Sequence, residues 1–280
     1  MLVSAKIFPL VSKHGTEDSV KWLNEKIDKI IEQKSGRDLF LTYSQLATKF
    51  DVETKGTFDL QLADGSIFER AATALEISRM YLLVKVLDED TIFFQSKVAT
   101  IIEIADTGEL VTFLKFIYLL PQAELFKNTA VEALRTNIAE VFDAITLNNP
   151  YPATYFNDQQ WNQMYLKAAF MERDLSMIVS IDTRANKELT RIISDYAHER
   201  WAATRKIDPL FWRPVTKFLN ETLLADMMQL LASDDIFENR AGALCCFNSN
   251  NAEAEKLLEA YPLLKEKIIA NELTWNTLKN

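Results

Sequence analysis

The chain has 280 residues, 48% of them hydrophobic and 25% charged, which suits one large or two small globular domains with a sizeable core. Its net charge of −9, from 31 basic and 40 acidic residues, repels a phosphate backbone. It argues against general nucleic-acid binding and against an anionic membrane surface as the main partner. Six glycines and seven prolines are too few for the tight turns of an all-β sandwich or barrel, so the expected fold class is mostly α.

Residues 1–15 contain a short apolar run, Ile7 to Val11, without the long apolar region or cleavage site of a secretory signal. No window approaches the roughly 18 uninterrupted apolar residues of a spanning helix. Thr16, Glu17 and Asp18 mark a helix start; Val20, Leu23, Ile27, Ile30 and Ile31 come next at helical spacing, and Gly36 reads as the end. Tyr43 to Phe50 reads as a short helix. Phe58, Leu60 and Leu62 alternate with polar residues, which predicts a short β or extended segment near 57–63. Asp64-Gly65 supplies a turn, and Ser66 reads as the cap of the next helix.

From Ser66 the pattern is helix after helix. Ala71 to Leu87 is interrupted by Asp88-Glu-Asp90; Thr91 to Ala105 and Glu109 to Leu120 form a pair joined by Asp106-Thr-Gly108. Pro121 begins another helix, and Ala130 to Ile145 is the next. Asn148-Asn-Pro150-Tyr-Pro152 is the strongest break; its two prolines predict extended backbone, read as a rigid strap over one continuous domain rather than a boundary. Helices are then expected over Asp158 to Phe170, from Asn186 to near Arg205, from Pro209 through Trp212, and over Leu219–Leu231, Ile236–Phe247, Ala252–Glu259 and Pro262–Ala270. The expected organisation is an N-terminal helical or irregular segment, 1–66, packed on an all-helical domain, 67–280. That domain reads as an irregular array of helical hairpins with HEAT-like, α-solenoid character.

The stretch Asp182 to Trp201 holds the densest set of chemically capable side chains. On a helix, Leu189, Ile192, Ile193, Tyr196 and Ala203 share one side, while Glu188, Arg191, Asp195, His198 and Glu199 share another. Asp195 and His198 have the i, i+3 spacing by which a helix offers a carboxylate and an imidazole to a metal. A di-metal site would need a second such pair, and the only other histidine, His14, lies in a predicted surface segment. His198 could instead be an acid or base oriented by Asp195 or Glu199. The plainer alternative has Asp195 and Glu199 pairing with His198, Arg191 or Arg184. Ser194 points about 100° away from Asp195, which disfavours a nucleophilic triad.

Other candidates are spread along the chain. Arg135, Lys167, Arg184 and Arg200 could form a basic pocket for a phosphate or carboxylate, or pair separately with acids. Asn162 and Lys167, on a helix apolar around most of its circumference, must find partners or reach outward. The aromatics from Tyr151 to Trp212, Trp161 and Trp201 among them, are core or the walls of a ligand cavity. Adjacent Cys245 and Cys246 read as two buried thiols on a helix, and with them a cytoplasmic setting. No glycine-rich phosphate loop is present, and no cofactor is expected.

Four segments carry a resemblance. Leu134-Arg135-Thr136-Asn137-Ile138, Asn149-Pro150-Tyr151-Pro152, Trp161 to Ala168, and Arg184-Ala-Asn186 with Asp195-Tyr-Ala-His198-Glu199-Arg200-Trp201-Ala together resemble the EboA family of bacterial metabolite-traffic proteins. The likeness is clear over about 110–214 and weak before 66 and after 230. It implies a genetic setting with a UbiA-type prenyltransferase and several cytosolic enzymes, and the movement of an isoprenoid-type or other precursor across the inner membrane. It implies no catalytic residues. The functional expectation is a cytoplasmic helical accessory protein that binds a small metabolite, partner proteins of the same system, or both. The candidate ligand-binding residues are Arg135, Asn137, Trp161, Asn162, Lys167, Arg184, Asn186, Arg200 and Trp201. The alternatives are an enzyme using His198 with Asp195 or Glu199, with or without a metal, and a purely structural scaffold.

Overall fold

The computed structural model describes residues 2–62 and 65–279. Helix accounts for 71% of the chain, so the one small sheet among the described residues is a local device rather than a layer. The chain divides into two compact units, Met1–Ile145 and Thr146–Asn280.

In the first unit, α1 (Val3–His14) and α2 (Glu17–Gln33) are succeeded by α3 (Gly36–Gln45). Thr16 caps α2 by accepting the Ser19 N–H at 3.2 Å. The end of α2 differs from expectation. Lys34 takes the left-handed conformation (φ 47°), Ser35 caps the next helix, and Gly36 is that helix's first residue. The expected extended segment is β1 (Lys55–Gln61), paired antiparallel with β2 (Ile67–Thr73); Phe58, Leu60 and Phe68 turn inward. Gly65 has φ 86°, as a turn requires, while its expected turn partner Asp64 lies outside the described residues.

A helix from Ala71 was expected, but β2 runs to Thr73. Thr73 and Glu76 form a reciprocal capping box that starts α4 (Ala74–Glu103). The acidic interruption is real: Asp90 is non-helical (φ −150°), and its carboxylate accepts the Phe93 N–H at 3.0 Å, re-capping the second half of α4. A second capping box, Asp106 with Glu109, opens α5 (Thr107–Phe116). Short 3-10 turns at Ile117–Leu119 and Ala123–Phe126 replace the helix expected from Pro121. One predicted helix becomes two, α6 (Lys127–Ala133) and α7 (Ala139–Thr146). The chain breaks between them, where the Thr136 hydroxyl accepts the Ile138 N–H at 3.0 Å and competes with the helical ladder. Between α4 and α5, Arg79 and Glu109 form a buried ion pair at 3.3 Å, and the Tyr43 hydroxyl of α3 donates to the Glu109 carbonyl at 3.1 Å.

The second unit begins with a correction. Pro150 and Pro152 do not hold an extended strap; they lie in a short helix, α8 (Pro150–Tyr155). Proline's fixed φ suits a first helical turn, where the missing N–H has no partner to lose, and Asn149 caps the Tyr151 N–H at 3.0 Å. Beyond it come α9 (Asp158–Phe170), α10 (Ile181–Arg184) and α11 (Lys187–Ala202). Next are a 3-10 stretch at Pro209–Phe218, longer than expected, and α12 (Glu221–Leu231), α13 (Ile236–Asn248), α14 (Ala252–Leu258) and α15 (Pro262–Ile269). Trp161, Tyr151, Tyr165, Phe211 and Trp212 are fully buried, so these aromatics are core. Cys245 and Cys246 are free and buried on α13, and burial pushes the Cys246 thiol up to about 12.

Candidate functional site

The Arg184–Trp201 stretch spans α10 and α11, and its two ends do different things. At the start, Asn186 caps α11 by accepting the Leu189 N–H at 2.9 Å. The same side chain exchanges reciprocal amide bonds with buried Asn162 of α9, at 3.1 and 2.9 Å, and donates to the Arg184 carbonyl at 3.2 Å. Asn162 thus has the partner that its place on an apolar helix demands.

Arg184 lies over the Trp161 ring, 4.9 Å from its centroid. Its Nη1 donates to the carbonyls of Pro152 (3.1 Å) and Ala153 (2.7 Å); its Nη2 donates to the Phe156 carbonyl (2.9 Å) and to Asp158 (3.3 Å). The planar fork therefore closes the C-terminal end of α8, where helix carbonyls lack partners and the dipole favours a cation. Four candidates, Trp161, Asn162, Arg184 and Asn186, are consumed in this joint.

Along α11 the buried face is Leu189, Thr190, Ile193, Ser194 and Ala197. Glu188, Arg191 and Asp195 form an exposed chain, with Arg191 bonded to both carboxylates. That engagement draws Asp195 towards Arg191, one turn back, and away from His198. The imidazole is held instead by Asp226 of α12: His198 Nε2 lies 2.6 Å from Oδ1, and Ser194 Oγ donates to Oδ2 at 2.9 Å. The Asp226 side chain is 4% exposed and that of His198 is 48%. A buried carboxylate with two donors thus fixes a half-open imidazole. With Nε2 held, Nδ1 is the ring atom left to meet a ligand or carry a proton. The ring also lies 5.8 Å from Trp201, which stacks on Trp212 at 5.4 Å. Glu199 is exposed, and among the described residues no three His, Cys, Asp or Glu side chains converge to hold a metal ion.

On another side of α11, Tyr196 and Arg200 line a cleft of about 300 Å³ with Arg173, Lys206, Lys279, Glu172 and Asp208. Arg200 donates through Nε (3.0 Å) and Nη2 (2.6 Å) to the Lys206 carbonyl. Of the basic pocket expected from Arg135, Lys167, Arg184 and Arg200, only Arg200 lines this cleft. Lys167 is half-buried in the last turn of α9. Arg135 and Asn137 belong to the first unit, in the break between α6 and α7. Both are exposed there, and Arg135 pairs with Glu132 at 3.1 Å.

A family model described as "Metabolite traffic protein EboA" matches residues 3–216. The chain belongs to the EboA family. The match reaches much further toward the N-terminus than the segments legible by eye, and it takes in the β-hairpin. No curated protein and no solved structure matches the chain. His198 lies within the residues that match the EboA family, whereas Asp226 lies beyond them. Sequence reasoning passed over Asp226, though a signal existed: it is the one charged residue on the buried face of α12, beside Leu223, Met227 and Leu230.

Proposed function

We propose that this EboA-family chain is a cytoplasmic accessory protein of a metabolite-traffic system. It binds a small anionic metabolite in the cleft beside Tyr196 and Arg200 and passes it to other proteins of that system. The observation that carries this reading is the make-up of the cleft. Four cationic side chains, Arg173, Arg200, Lys206 and Lys279, face two acids over an apolar floor of Ala169, Ile207 and Pro209, in a chain whose overall charge is −9. Its volume suits a small polar molecule rather than a long chain. Family membership supplies the traffic context, and no helix among the described residues is long and apolar enough to cross a membrane, which fits a handling role rather than a pore.

The test is native mass spectrometry of gently purified protein, with extraction of whatever co-purifies. An anionic small molecule retained by the wild type and lost from the Arg200→Ala, Lys206→Ala double variant is the expected result. A bare protein that brings down partner proteins with equal efficiency in wild type and variant would replace the carrier with a scaffold.

A second reading rests on the 2.6 Å contact between His198 and Asp226. A half-open imidazole oriented by a buried carboxylate is the arrangement of a general acid or base, with Asp226 in the place that Asp195 or Glu199 was expected to fill. Incubating the co-purified metabolite with wild type and with His198→Gln separates the two readings. Turnover abolished by the variant makes the protein an enzyme; an unchanged mass in both leaves it a carrier.

A further inference from the structure

The first unit carries a groove that plays no part in the proposed cleft. It runs between the first turn of α3 and the second half of α4, with a volume of about 610 Å³. Phe40, Phe93, Ile101 and Ile104 make an apolar floor; Lys34, Arg37 and Lys97 edge it, and none of its lining residues is acidic. Lys34 pairs with Asp90 at 2.7 Å, while Arg37 and Lys97 have no ion pair among the described residues. Lys34 and Lys97 both lie over the Phe93 ring, at 5.6 and 5.7 Å from its centroid. Cations and apolar surface are therefore presented together.

The floor is not closed over. Phe40 is 37% exposed and Ile104 64%. Large apolar side chains gathered this openly on two adjacent helices mark an interaction surface. A soluble ligand would normally be mostly enclosed by its pocket. An occupant that covers an open apolar floor and also supplies anions along the cationic edge is the surface of an anionic bilayer. The overall charge of −9 does not oppose this at close range, because at physiological salt charges beyond about 8 Å are screened and the local cations decide.

We propose that this groove docks the protein on an anionic membrane surface. Arg37 and Lys97 meet lipid phosphates, and Phe40 and Ile104 enter the boundary between headgroups and acyl chains. The contact is peripheral. The test is co-sedimentation of the full chain with phosphatidylcholine vesicles, with and without phosphatidylglycerol. Binding is expected only where phosphatidylglycerol is present, weakening as salt rises. The Arg37→Glu, Lys97→Glu double variant should bind at least about tenfold more weakly, given the contribution of each basic residue near such a surface. Ile104→Ser should weaken binding with no change in charge, and Lys187→Glu, an exposed control on α11, should leave it intact. Melting temperatures matching wild type keep misfolding out of the comparison. The proposal fails if anionic vesicles do not bind, if neutral vesicles bind equally, or if the control weakens binding as much as the double variant. It also fails if monomeric short-chain phosphatidylglycerol raises the melting temperature while vesicles do not bind, because the occupant is then a free amphiphile.

Discussion

The two ends of the Arg184–Trp201 stretch, both rich in polar residues, are spent in opposite ways. Arg184 and Asn186 have their hydrogen-bonding capacity directed to four backbone carbonyls, two carboxyl or amide side chains and a helix N-terminus. His198 has one ring nitrogen anchored and nearly half its side chain open. Arg200 lines a cleft while holding a single carbonyl. A signature segment is therefore not one site. Residues whose partners are backbone groups of other elements build the fold, and residues fixed from one side only are available for chemistry.

That contrast can be broken most forcefully at Arg184. Arg184→Ala should destabilise the protein by about 3 kcal/mol, because it strips the Ala153 and Phe156 carbonyls of this donor and uncovers Trp161. Urea unfolding measures this, and Arg184→Lys should recover less than half of the loss because a point charge cannot span three carbonyls. Asp226→Ala should cost about 2 kcal/mol, since buried Ser194 loses its acceptor and the imidazole its anchor. Asn162→Ala should cost about 1–2 kcal/mol through the broken amide pair. His198→Ala sharpens the comparison from the other side: a loss under about 1 kcal/mol with loss of the bound metabolite or of turnover marks a functional residue, and a larger loss makes it architecture. At the small end, Asp195→Ala should move stability by no more than about 0.5 kcal/mol, its only side-chain partner among the described residues being exposed Arg191.

The buried thiols give a pH test of the same unit. Burial raises the Cys246 pKa from its ordinary value of 9.0 to about 12, so the unfolded chain loses this proton first as pH rises. Its contribution to stability should be intact below pH 9.0 and decline from there towards about 12. At neutral pH a thiol reagent should label neither cysteine until the protein unfolds, and labelling of native protein at the rate of free cysteine would contradict the burial.

Periodicity carried the helices well where the apolar pattern and caps agreed. Asp158–Phe170, Ile236–Asn248 and Ala252–Leu258 lie within a residue or so of the expected spans. It failed where a local device overrode it. Ala71 and Ala72 read as helix, yet they pair in β2, and the capping box at Thr73 and Glu76 was the sign that the helix starts later. Prolines at 150 and 152 suggested extended chain, although proline is equally at home in a first helical turn. The site was legible by half. His198 stood out because histidine is scarce here, but its partner Asp226 is 28 residues away on a helix with no motif. Only packing brings the two together, and no i, i+3 or i, i+4 rule reaches that far. Likewise Lys279 joins the cleft from the far end of the chain.

The closure of α8 by Arg184 has a consequence for the order of folding. A six-residue helix has no independent stability, because its nucleation cost is not recovered over so few bonds. The groups that terminate it come from an arginine 28–32 residues further on. Until α10 is delivered, α8 can only flicker. In a refolding experiment read by pulsed hydrogen exchange, the Phe156 amide, bonded to Pro152, should gain protection in step with the arrival of α10 and not before. The amides of α4, which has its own capping box, should precede it. Arg184 is then a latch that sets when this part of the chain becomes native.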